Sequence, residues 1–301
     1  MDQDPGANDD PSSSSGGGGA KAPQCSVIST YRAKIGGALR AVTVVWSKNM
    51  MHHSLSVSID GSLGAATCKV ELKPWPFWSK KGSKSFDVDG SHVDVSWNFR
   101  LAKFADGPEP YEGYFVAVVS GDEVVLLLGD RKKKAYKKTR SRPSLEEAAL
   151  VSKKETVLGK RSFAARARFD SQRSKEHDVV VEHSISDQTK DRDGTELWIT
   201  VDGAVLLHVA NLQWKFRGNE VVWIDQLPIQ VIWDAHDWLF KPHALTHALF
   251  LFKPGLPEPI AEPPEAGEPE NATTLVSDDD VSAARGSSSE FCFFLHAWKI
   301  D

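Results

Sequence analysis

The sequence has few cysteines, no long apolar run and no excess of basic charge. Its three cysteines, Cys25, Cys68 and Cys292, are widely spaced and include no CxxC pair. That set excludes a disulfide framework and offers no zinc-ligand spacing. It predicts reduced thiols in a cytoplasmic or nuclear compartment. No run approaches the roughly 18 apolar residues of a membrane-spanning helix. The N-terminus, acidic and then Ser/Gly-rich, lacks the apolar core of a signal peptide. The net charge of -5, from 36 basic and 41 acidic residues, argues against a surface given over to nucleic acid but leaves room for a local basic patch. Catalytic signatures are missing too. There is no GxSxG elbow, and Lys80-Lys81-Gly82-Ser83-Lys84-Ser85 lacks the GxxxxGKS/T spacing of a phosphate loop, its glycine falling in a hairpin.

What the sequence does contain is a pattern that recurs. Trp78-Ser79-Lys80-Lys81-Gly82 precedes Trp214-Lys215-Phe216-Arg217-Gly218 by 136 positions. At the same offset Phe86, Val88, Asp89, Val93, Val95 and Trp97 fall on Val222, Ile224, Asp225, Ile229, Val231 and Trp233. Period-2 alternation around both copies predicts strands, Asp89-Gly90 predicts a tight hairpin turn, and Asp202-Gly203 ends a strand with a turn signal. Asp60-Gly61 reads as a turn as well. The predicted fold is all-β: two tandem, related antiparallel units of sandwich or barrel type, residues 25–130 and 145–301. Segment 131–144 is a basic linker, and Ser144 to Glu147 fits a capping box that predicts a short helix. Val151–Leu158 and Arg161–Phe169 read as additional strands. Residues 1–24, and an acidic Pro/Glu/Ser-rich insertion at 254–289, have compositions that predict disorder.

Three groups of residues are candidates for function. Asp234 and His236 lie at a strand end, where an acid/base pair would share one face; the structural alternative is that they fix that end through backbone hydrogen bonds. In the run from Arg131 to Arg142, Lys132, Lys133, Lys134, Lys137, Lys138 and Arg140 could serve nuclear import or contact nucleic acid or an anionic surface, or simply solvate a linker. Trp75, Phe77 and Trp78 could form an aromatic rim that binds a partner, or plug the end of a sandwich. His243 and His247 have i,i+4 spacing but no third ligand, and read as surface histidines. No metal or cofactor site is predicted.

Several longer stretches carry a resemblance. They are His53-Ser54-Leu55-Ser56-Val57, Leu72-Lys73-Pro74-Trp75, Asn211 through Gly218 (NLQWKFRG) and Trp233 through Phe240 (WDAHDWLF). With the closing Glu290-Phe291-Cys292, these resemble the plant family called domain of unknown function 868, across nearly all of residues 25–300. The resemblance implies a plant protein and carries over no activity and no catalytic residue. The functional expectation is therefore a non-enzymatic protein-interaction β module. The alternative is a binding protein for an anionic or apolar ligand, using either the basic segment or a site between the two units.

Overall fold

The computed structural model describes residues 25–49, 52–72, 80–169, 175–185, 194–241, 245–255 and 291–300. The tail at 1–24 and most of the acidic insertion, where the sequence predicts disorder, lie outside the described residues.

Alternating sequence becomes four successive meanders. The first is β1 (Cys25–Ile35), β2 (Ala38–Lys48), β3 (His53–Gly61) and β4 (Gly64–Leu72). The second is β5 (Lys81–Val88), β6 (Ser91–Asn98), β9 (Phe115–Ser120) and β10 (Glu123–Leu128), interrupted by the two-stranded β7 (Lys103–Phe104) and β8 (Pro110–Glu112). Helix α1 (Lys132–Thr139), β11 (Arg142–Pro143) and β12 (Ala149–Gly159) make the crossing. The third meander is β13 (Ser162–Ala167), β14 (His177–Ile185), β15 (Thr195–Val201) and β16 (Ala204–Val209). The fourth is β17 (Arg217–Ile224), β18 (Leu227–Asp234), β19 (Thr246–Pro254) and β20 (Cys292–Lys299), with α2 (His236–Phe240) between β18 and β19.

The first and fourth meanders join through β12 into one nine-stranded sheet, ordered β17-β18-β19-β20-β12-β1-β2-β3-β4. β12 runs antiparallel to β1 and parallel to β20. The second and third meanders form separate sheets. Register shows that both lie on one face of the long sheet. Val27 pairs with Glu155, which pairs with Leu295. Val27 packs with Val93, Val95 and Val118 of the second meander, and Leu295 with Val179, Val181 and Ile199 of the third. The chain is mostly β, with two smaller sheets packed on one continuous long sheet, and among the described residues no sheet closes into a barrel.

The hairpin turns follow from side-chain chemistry. Asp89-Gly90, Asp202-Gly203 and Asp225-Gln226 all have positive φ at both positions, as type I′ turns require. The predicted turn at Asp60-Gly61 falls two residues later. Both residues stay in the ladder, opposite Ala65 and Gly64. The Asp89 carboxylate takes hydrogen bonds from the Ser62 amide (3.0 Å) and hydroxyl (2.5 Å), which fixes the turn beyond them.

The capping-box helix does not form. Ser144 bonds the Glu123 carboxylate at 3.0 Å instead, and Arg142 ion-pairs with Glu123 at 2.8 Å. The helix lies earlier, in the lysine run. Ala135 and Tyr136 of α1 cover Phe115, Ala117 and Val119, so β9 is buried on both faces. An unbroken apolar run such as Phe115–Val119 is what that environment selects.

Candidate functional site

The outer face of the long sheet, opposite both cores, is covered by neither smaller sheet. Its side chains follow from the pleat and the register. Ile232 (β18) lies beside Leu251 (β19), then Phe294 (β20), Lys154 (β12) and Ile28 (β1). A second row holds Arg217, Asp234, Leu249 and His296. Together with Thr30 and Ser152, these residues line a trough of about 790 Å³, within the size range of small-molecule sites. It crosses six strands, or five interstrand spacings, about 24 Å. α1 roofs the outer face of β9 in the five-stranded sheet, whereas Leu249 on the outer face of β19 in the long sheet is 37% exposed.

The polar groups of the trough are unequal. Arg217 Nε and Asp234 Oδ2 pair at 2.9 Å at one end, so their charges cancel. Burial lowers the His296 pKa to about 4, helped by Lys154 and His247 nearby, and the ring is neutral at pH 7. Lys154 stands between Phe294 and Ile28 with no hydrogen bond or ion pair to any described residue. Apolar surface with one uncompensated positive charge is equipment for binding.

The Asp234 and His236 side chains take different partners. Asp234 reaches the trough rim, but its carboxylate is committed to Arg217 and to the His236 amide, 3.0 Å from Oδ1. The His236 ring turns to Asp237 (3.2 Å), against Phe216 and Phe240. The Lys241 ammonium first, then His236, holds the Asp237 carboxyl below the usual carboxylate range. His247 stacks on Trp298 at 4.7 Å, while His243 lies outside the described residues. Among the described residues no three His, Cys, Asp or Glu groups converge as a metal site.

The basic candidates are brought together. Lys132, Lys133, Lys134, Lys137, Lys138 and Arg140 are all exposed, on α1 and its C-cap, and make no ion pair among the described residues. Trp75, Phe77 and Trp78 lie outside the described residues. Other indoles are exposed instead: Trp214 at 80% and Trp223 at 61%.

Sequence reasoning missed the trough and a buried polar group on the inner face at the seam. There Lys153 and Glu155, both nearly buried, pair at 3.3 Å. Glu155 also accepts the Arg166 amide at 3.2 Å, and the Lys153 ammonium reaches the Arg166 carbonyl at 2.6 Å. Burial raises the Glu155 pKa against the pull of Lys153, and does the same to Glu109. Alternation puts Lys153 and Glu155 on one face of β12 and Lys154 on the other. Only the pairing of β12 with β1 and β20 reveals that one charged face is interior and the other lines a trough.

No helix of the described residues is long and apolar enough to cross a membrane. No curated protein and no solved structure matches the chain. The sequence profile of one family does, over residues 22–299, and its description is "plant protein of unknown function (DUF868)". With nearly the whole chain matched, this protein belongs to the DUF868 family of plant proteins.

Proposed function

We propose that this protein works by binding, as a non-enzymatic β module, and that the trough on the outer face of the long sheet is its binding site. One observation carries the reading: a trough of about 790 Å³, lined by Ile28, Ile232, Leu249, Leu251 and Phe294, is left open by the described residues, whereas α1 roofs the outer face of β9 in the five-stranded sheet. An open apolar patch of this kind marks an interaction site. The test uses the whole chain and N-phenyl-1-naphthylamine, an uncharged apolar fluorophore. Wild type should bind it saturably, and Leu251→Glu, which puts a charge in the trough floor, should abolish binding with an unchanged far-ultraviolet dichroism spectrum. Binding that is unsaturable, or that Leu251→Glu leaves intact, refutes the trough as the site.

A second reading is a protein partner, and the exposed indoles Trp214 and Trp223 favour it. Trp223 lies on β17, an end strand of the long sheet, where an edge can accept a further strand. Pull-downs with wild type and Trp223→Ser decide it: a partner retained equally by both removes this reading. The three free thiols suit a reducing compartment, cytoplasm or nucleus.

A further inference from the structure

Lys154 is out of place for a plain apolar groove. Its two neighbours across the ladder are Phe294 and Ile28. An ammonium on a sheet surface ordinarily finds a carboxylate or points into open water. Lys154 is half-buried and has no partner among the described residues. The one carboxylate in the trough lining, Asp234, is already neutralised by Arg217. His296 carries no charge at neutral pH. Among the described residues the trough therefore holds one unmatched positive charge, and Thr30 and Ser152 place hydroxyls on the same wall.

Resting on the trough as the binding site, we infer that its ligand is a free single-chain carboxylate with a long alkyl tail, the carboxylate at Lys154 and the tail across Phe294, Leu251 and Ile232. Charge complementarity selects the head group. A single uncompensated ammonium matches a monoanion, and Coulomb attraction strengthens where apolar walls exclude water. The geometry selects the tail. From Lys154 to Ile232 is three strand spacings, about 14 Å. At roughly 1.25 Å of advance per carbon–carbon bond, about eleven bonds, an extended chain of about twelve carbons, cover that distance. Leu249 flanks the path on one side.

The experiment titrates the full chain with dodecanoate and with 1-dodecanol at pH 7.5, by calorimetry, in wild type, Lys154→Met and Lys154→Arg. Lys154 is on the outer face, away from both cores, so these variants keep the fold. Dodecanoate should bind one site in wild type and weaken at least tenfold in Lys154→Met. Lys154→Arg should stay within about threefold of wild type, since the charge is retained. Dodecanol should bind wild type and Lys154→Met alike. If dodecanol binds and dodecanoate is unaffected by Lys154→Met, this inference is overturned and the trough reading stands. If neither ligand binds wild type, both fall. Sedimentation of the chain with phosphatidylglycerol vesicles, without uptake of monomeric dodecanoate, assigns the charge to a membrane surface and also overturns the inference.

Discussion

Gly218 faces Trp233 across the β17–β18 ladder, and the indole fills the volume a side chain at 218 would need. A Cβ there would come within 2.0 Å of the ring. The Trp233 Nε1–H donates to the Lys215 carbonyl at 2.9 Å, so the ring cannot move aside freely. Gly218→Ala should cost about 2–3 kcal/mol through overpacking and the strained hydrogen bond. Gly82 and Trp97 repeat the arrangement in the first half, with a closest approach of 2.6 Å. Among the described residues Trp97 Nε1 has no hydrogen-bond partner to lose. Gly82→Ala should therefore be the milder change. Urea unfolding of both variants checks the order, and equal losses would show that the Lys215 bond does not hold the ring.

This pair also shows how far the sequence could be read. Gly and Trp recur at the same offset because each cross-strand pair needs a missing side chain under a large ring, so hairpins β5–β6 and β17–β18 were both visible. The sharing of one sheet was not. Alternation tells which residues of β12 point together, but which strands flank it depends on contacts far apart in the chain, Val27 with Glu155 and Glu155 with Leu295.

The Lys153–Glu155 pair is buried at the seam, with side chains 12% and 11% exposed. Lys153→Met leaves the Glu155 carboxylate without its cation and should destabilise by about 3–5 kcal/mol. Lys153→Met with Glu155→Gln removes both charges and should recover most of that loss. Thermal melts of the single and double variants measure it. A double variant as unstable as the single would mean that packing by the lysine stem, not the charge, is what matters.

On α1 five lysines crowd a helix of eight residues, with no acidic residue in its first turn. Lys132, Lys133 and Lys134 sit where the helix dipole disfavours cations. Changing all five lysines to Gln should therefore leave stability unchanged or slightly raised. If α1 is a polyanion contact, the same change should abolish retention on a mixed-sequence DNA duplex and flatten its salt dependence by roughly 0.9 log units per lost phosphate contact. Retention that survives assigns the basic run to solvation of the crossing.

The candidate site was legible only in part. Asp234 was found, because a charged residue ending an apolar strand is conspicuous. The lysine run was found by composition, but its helix was not. Ala135 and Tyr136 are too few to give a helical period, and they matter only because Phe115, Ala117 and Val119 lie beneath them. Lys154 was invisible. In sequence it is one of two adjacent lysines, and the pleat sends Lys153 to the interior and Lys154 to the trough.

His183 on β14 is 5% exposed, packs near Trp238 with centroids 5.7 Å apart, and its Nε2 has no partner among the described residues. Burial, with Lys299 and Arg161 adding repulsion, lowers its pKa to about 4, against about 6.5 in an unfolded chain. The folded state thus favours the neutral ring, and between these values the unfolded state binds more protons. By linkage, the stability contributed by the neutral ring is complete above pH 6.5 and is lost as pH falls toward 4, about 3 kcal/mol in all. Glu109 and Glu155, raised by burial, oppose this trend in wild type and in a His183 variant alike. Urea midpoints of wild type and His183→Leu at pH 7.5 and pH 4 therefore isolate the histidine. The variant should lose less stability on acidification than wild type, and equal losses would show that the ring already titrates near its ordinary value.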